Sequence, residues 1–387
     1  MIDFIGEIIK RFGPRLAGGE AERNAQLFVK AALEKFSHEV ELQTFEAALT
    51  AKFHKMKIYA VLYWLSVAVF FFNPFAAFFF AFINAAITVN DLMRNGTWLD
   101  FLYPKLQSCN ITTAVEPQNE AKQTIVFTGH IDSTEECQWW YWLKQWGGYL
   151  TFACGILIVA YAAFCFFEVG ARIIFNHSIL SPINWLFVLL SPVQLVYFSF
   201  HSKRVVDGAS DNLSGTAISF FLLKHFKENP LKHTRIRFIS FGAEEKGLRG
   251  SKAYVKQNLE QLKRENSLVV NIDTIRLVKD ISIVNKETMI GVNHNQQLAI
   301  EVKESFDSLQ LPIRVNPLPM GGTDAVPFSM AGIPAISVIG LDTKTLDPTY
   351  HTRLDTLEMI EPQSLQNVKD ALIDFVLKTD KKTLNSL

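Results

Sequence analysis

The sequence predicts an α/β protein: a mixed, largely parallel central sheet flanked by helices and interrupted by two inserted transmembrane helical hairpins. Three observations lead there. Short apolar, β-branched runs (Thr124–Gly129, Arg235–Phe241, Leu268–Ile272 and Ala335–Ile339) alternate with helix-periodic segments, the pattern of buried parallel strands. Just past these runs stand acidic or imidazole residues: His130-Ile131-Asp132, Glu244-Glu245, Asp273, and Tyr350-His351-Thr352 with Asp355. Finally, Ile58–Asn90, Leu150–Phe167 and Ile179–Phe200 carry no charged residue.

Along the chain, Ile2–Phe12 and Glu20–Phe36 have helical periodicity with Gly-Pro and Gly-Gly punctuation between them, and Val40–Phe45 reads as a strand. This opening is scaffold. Ile58–Asn90 is longer than an uncharged core helix usually runs. Asn73-Pro74 in its middle is a turn signal, so the stretch is expected to form a tight hairpin rather than one continuous helix. Trp139-Trp140-Tyr141-Trp142, with Trp146 and Tyr149, then precedes the second pair of apolar runs, as interfacial aromatics precede a membrane span. The expected division is residues 1–56, 94–147 and 201–387 for the catalytic domain, with hairpins at 57–93 and 148–200.

Topology constrains this reading. The site needs residues from before, between and after the apolar stretches, all on one side of a bilayer, so each insertion crosses an even number of times. Lys52, Lys55, Lys57, Arg94, Lys144, Lys203 and Arg204 flank the domain-side ends, whereas the far turns hold only Arg172. The positive-inside rule then expects the catalytic domain on the cytoplasmic side. Met1–Gly13 lacks a secretory signal pattern, and Cys109, Cys137, Cys154 and Cys165 show no CxxC spacing or disulfide framework. Equal counts of 38 Lys+Arg and 38 Asp+Glu over 387 residues give no reason to expect nucleic acid.

The loop Gly208–Gly215 (GASDNLSG) organises the rest. Its small residues let backbone and ligand approach closely around one carboxylate, Asp211. Alone, such an Asp is a turn or cap residue. Together with the groups beyond the strand ends it belongs to a cluster, because ligands in open α/β sheets gather outside the carboxyl ends of the strands. Two His and several carboxylates without Cys suit zinc, manganese or cobalt. His130, Asp211, Glu245, Asp273 and His351 are five candidate ligands, more than one zinc needs, and fit two metals sharing a carboxylate. The doubled acid Glu244-Glu245 divides into a ligand and a free base. His38, His54, His225, His233 and His294 sit in polar settings and are expected to be solvated, with His177 and His201 interfacial.

The motifs GHIDS, GASDNLSGTA, SFGAEEKGLRGS, VVNIDTI and YHTRLDT resemble those of the zinc-dependent, co-catalytic di-zinc exopeptidases, which include bacterial leucyl aminopeptidases, glutamate carboxypeptidase and glutaminyl cyclases. The resemblance covers residues 2–48, 111–133 and 205–377. It implies that Asp211 bridges two zinc ions, that His130 and Asp273 complete one, and that Glu245 and His351 complete the other. It further implies Glu244 as general base, Asp132 as the partner orienting His130, Tyr350 as a helper at the developing oxyanion, and a cis peptide bond at Asp211-Asn212. Relatives often carry His at the position of Ala325, a departure that bears on substrate selection. The expected function is a membrane-embedded aminopeptidase acting on peptides, hydrophobic or membrane-associated ones included. A one-zinc glutaminyl cyclase-like acyltransferase and a non-catalytic receptor-like relative are the alternatives.

Overall fold

The computed structural model describes residues 1–37, 39–178, 180–311, 313–342 and 345–385, so His38 lies outside the described residues. The chain divides into two compact units: Met1–Leu49, Lys105–Glu135 and Arg204–Leu387 form the first, and Thr50–Pro104 with Glu136–Lys203 the second.

In the first unit nine strands make one sheet: β1 (Glu41–Ala47), β2 (Leu106–Val115), β3 (Gln123–His130), β4 (Thr234–Phe241), β5 (Ser267–Asp273), β6 (Ser282–Glu287), β7 (Val292–Asn293), β8 (Arg314–Leu318) and β9 (Ala335–Ile339). Their order is β1-β2-β4-β3-β5-β9-β6-β8, with β7 pairing β6. The centre, β4-β3-β5-β9, is parallel, and β1-β2 and β2-β4 are antiparallel. The four apolar runs of the sequence are these four central strands, and their side chains alternate between two apolar layers. Ile125, Phe127, Ile236, Phe238, Val270, Ile272, Ile336 and Val338 face one layer. Val126, Ile239, Phe241, Val269 and Ala335 face the other. Register follows from that two-residue period. It pairs His130 with Phe241 and Ile339 with Asp273, so the loops leaving β4 and β9 emerge beside those two residues.

The second unit is helical. Ala51–Phe70 and Pro74–Ile87 form a hairpin whose turn is the expected one: Asn73 Oδ1 accepts from Phe75 N and Ala76 N at 3.0 and 3.1 Å, with Pro74 opening the helix. Asn84 Nδ2 donates to Tyr59 O at 2.9 Å across the pair. Gln145–Phe175 is one 31-residue helix, and the return path is broken into short helical pieces between Ser181 and Phe198. Among the described residues three segments, Pro74–Met93, Gln145–Phe175 and Ser181–Phe198, are long and apolar enough to cross a membrane. Ala51–Phe70 is not among them, because Lys52, His54, Lys55 and Lys57 occupy its first turns. Lys55 is buried, donating to Asp91 Oδ2 at 2.8 Å and Asp100 Oδ1 at 2.5 Å.

One histidine differs from expectation. His294 is buried, with Nε2 3.1 Å from Glu287 Oε1 and Nδ1 2.8 Å from Ser329 Oγ. Polar neighbours disguise the position: Asn295, which caps the helix Gln296–Ser308, directly follows it.

Candidate metal centre

The Asp211 loop is built by close packing. Gly208 holds φ +58°, where a Cβ is strained. A Cβ on Gly215 would lie 2.0 Å from the Ile272 carbonyl oxygen, so only glycine lets the helix Gly215–Glu228 start against β5. The Asp211-Asn212 peptide bond is cis. Asn212 Nδ2 donates to Ile272 O at 2.9 Å, and its Oδ1 accepts from Gly215 N at 2.9 Å. Asp355 holds the other side, accepting from Ser210 N at 2.8 Å, Ser210 Oγ at 2.5 Å and Asp211 N at 3.1 Å.

Around this loop the structure brings together all five candidate ligands. Ligand atoms of His130, Asp211 and Asp273 lie within 4.8 Å of one another, and so do those of Asp211, Glu245 and His351, with Asp211 common to both groups. His130 Nε2 is 3.2 Å from Asp211 Oδ1 and 3.8 Å from Asp273 Oδ1. His351 Nε2 is 3.2 Å from both Asp211 Oδ2 and Glu245 Oε2. Glu244 belongs to neither group, with its Oε2 3.7 Å from His130 Nε2. Tyr350 stacks its ring on His351 at a centroid distance of 3.9 Å.

These residues fit a divalent ion. Two zinc bonds of about 2.0–2.1 Å at a tetrahedral angle separate their donor atoms by roughly 3.3 Å, close to the 3.2 Å spacings here. Glu245 Oε1 is buried with no hydrogen-bond partner, a costly state that a cation relieves. Imidazole and carboxylate donors suit zinc.

Electrostatics reports the same crowding. Burial pushes the Glu244 carboxyl well above the usual range, against His130 and with Asp324, Glu245 and Asp273 adding to it. Burial likewise lifts Asp273 to about 7, with Asp211 contributing. Asp211 moves the other way: burial opposes its ionisation, but His130 and His351 hold it below the usual carboxylate range. Such opposed shifts among adjacent buried acids mark a site built for a charge.

Further side chains brace the site. Asp132 has its Oδ1 3.5 Å from His130 Nδ1, while its carbonyl oxygen is nearer, at 3.2 Å. The Asp132 carboxylate also accepts from the backbone N–H groups of Glu244 and Glu245, at 3.1 Å each, so one side chain supports two parts of the site. Glu22 accepts from Ala243 N at 2.8 Å and from Ser108 Oγ at 2.9 Å, bracing the loop that carries the Glu pair. Arg15, fully buried, donates to the carbonyls of Gly13, Ile131, Asp207 and Gly208 and ties the His130 and Asp211 segments together. Nothing in the pattern around Glu22 or Arg15 sets either residue apart from solvated helix or turn positions. Ala325 is buried in the apolar layer with Val126, Phe241 and Phe328.

Comparison with known proteins agrees with this geometry. Residues 194–376 match the model of peptidase family M28. The chain is 34% identical over 197 residues to aminopeptidase YwaD of Bacillus subtilis (strain 168), a match covering 49% of this chain and 42% of that relative, less than half its length. Its fold is similar to that of BSAP, a zinc aminopeptidase from Bacillus subtilis, with a TM-score of 0.59 at 18% identity over 98% of this chain and 94% of that one. An Acidobacteriales bacterium glutaminyl cyclase is equally similar in fold, with a TM-score of 0.59 at 13% identity over 98% and 94%. Over residues 194–376 this chain is therefore similar to peptidase family M28, and it shares the fold of the solved zinc aminopeptidase and glutaminyl cyclase structures.

Proposed function

We propose that the protein is a di-zinc aminopeptidase that removes N-terminal residues from peptides. The observation that carries this reading is the pair of ligand groups sharing Asp211, with Glu244 standing outside both. His130 and Asp273 would complete one ion and Glu245 and His351 the other; zinc, when bound, supplies Lewis acidity and a water of lowered pKa. Glu244 would accept the proton of the attacking water and deliver it to the leaving amine. Its buried setting, which favours the protonated form, suits the second half of that task. Tyr350, held beside His351, would donate a hydrogen bond where the scissile carbonyl oxygen gains charge. Asp132 would keep the His130 ring oriented and the Glu244-Glu245 backbone in place.

The helical unit is read as membrane-embedded, two hairpins with the catalytic unit on the cytoplasmic side, on the strength of its three long apolar segments and the Lys/Arg bias of its junctions. The chain leaves the catalytic unit at Glu135, soon after His130, and returns at Arg204, shortly before Asp211. That connectivity supports hydrophobic or membrane-associated peptides as substrates.

The test is a pair of substitutions. Glu244→Gln should lower kcat on an aminoacyl p-nitroanilide by about 10²–10⁴-fold while zinc content is unchanged. Glu245→Gln should reduce the zinc content. Metal loss in the first variant and not in the second would reverse the assignment, and a wild-type protein inert on every aminoacyl substrate would remove it.

A further inference from the structure

We propose that the end of the helical unit where its chain ends converge is a binding surface for anionic phospholipid headgroups. The proposal rests on the membrane reading above and adds a lipid class to it.

Contacts within the helical unit define that end. Lys55, near the start of the first helix, meets Asp91 and Asp100 at the close of the hairpin. Phe53 packs on Phe200 at 5.6 Å and stacks on His201 at 5.2 Å. Gln138 N donates to Phe200 O at 3.2 Å, and Trp139 Nε1 to Ser199 Oγ at 3.2 Å. The segments near residues 50–57, 91–100, 138–144 and 199–203 therefore lie together. The opposite end holds Asn73-Pro74 and the turn after Phe175, where Phe71 packs on Trp185 at 5.1 Å.

Charge is distributed unevenly between the two ends. The unit contains seven Lys and Arg against four Asp and Glu. Three of the acids are consumed internally: Asp91 and Asp100 by Lys55, and Glu168 by Arg172, Ser178, Ser181 and the Leu180 N–H at the far end. Glu136, the fourth, is buried. What remains is Lys52, Lys57, Arg94, Lys144 and Lys203, none in an ion pair among the described residues and all at the converging end. Arg94, Lys144 and Lys203 are exposed, and Lys52 and Lys57 half-buried.

Large aromatics are interleaved with these cations. Trp139 and Trp140 are taken up internally, Trp140 Nε1 meeting Thr151 Oγ1 at 3.2 Å. Trp98, Phe101, Trp142, Trp146 and Tyr149 are all more than half exposed, Phe101 at 80%. Exposed aromatics at the ends of apolar helices match the depth of the headgroup region. A zwitterionic surface would leave the five cations without counter-charge. An anionic one supplies it, at about fivefold in binding per Lys or Arg.

The experiment reconstitutes the full chain into nanodiscs of phosphatidylcholine alone and of equal phosphatidylcholine and phosphatidylglycerol, and counts the lipids retained after mild detergent extraction by native mass spectrometry. Phosphatidylglycerol should be retained at least several-fold over phosphatidylcholine. The quadruple variant K52Q/K57Q/K144Q/K203Q should lose most of that preference, whereas K263Q in the catalytic unit should keep it. Incorporation into both discs with no preference, or a preference indifferent to the quadruple variant, overturns the lipid surface and leaves the membrane reading standing. Failure to enter either disc overturns the membrane reading and this inference with it.

Discussion

The chemistry of the site rests on single side chains whose neighbours decide their state. Asp273 is held at about 7 by burial beside Asp211, and His130 is pushed up by Glu244, Asp132 and Asp211 against the opposing effect of burial. Without metal the cluster holds protons at pH 6 that zinc must displace, since only the ionised carboxylate and neutral imidazole are ligands. A raised pKa means the competing proton is bound below that pKa and released above it. Zinc affinity should therefore tighten between pH 6 and 8, by about tenfold per pH unit for each proton displaced. Calorimetric or competition titrations of the apo protein check this, and an affinity independent of pH would contradict the shifts. The candidate ligands could be picked out in the sequence because each lies in a small-residue loop, at or just after the end of an apolar strand, or in the loop such a strand opens. Two of the supports could not: Arg15 and Glu22 reach the site by hydrogen bonds across more than a hundred residues of chain, and local pattern carries no trace of such contacts.

At the level of elements, the β5 end and the helix Gly215–Glu228 are locked by the absence of a side chain at Gly215. Gly215→Ala should force the helix start away from Ile272, displacing the Asp211 loop. The expected result is a large loss of thermal stability together with reduced zinc content, read by calorimetry and elemental analysis. A stable variant with its full zinc content would show that the close approach does not position the loop. The central strands were legible because both their faces are buried, which leaves continuous apolar runs. Strand β2, LQSCNITTAV, mixes polar and apolar residues, and β8 carries Pro317 at a register shift, so neither announces itself. The Asn73-Pro74 turn was legible because its chemistry is local: a capping side chain followed by a proline in the first turn.

For the whole molecule, the proposal joins a catalytic unit to an apolar helical one through segments that also carry the candidate ligands. If the helical unit recruits substrate, kcat/KM for hydrophobic peptides should exceed that for small soluble aminoacyl substrates in lipid nanodiscs; equal values would reduce the hairpins to anchors. Everything else depends on the two ligand groups holding two ions. Crystals of the zinc-loaded protein, measured on both sides of the zinc absorption edge, test that most directly. Two anomalous peaks per chain are expected, one among His130, Asp211 and Asp273 and one among Asp211, Glu245 and His351, with none coordinated by Glu244. A single peak, or a peak bound to Glu244, would contradict this expectation.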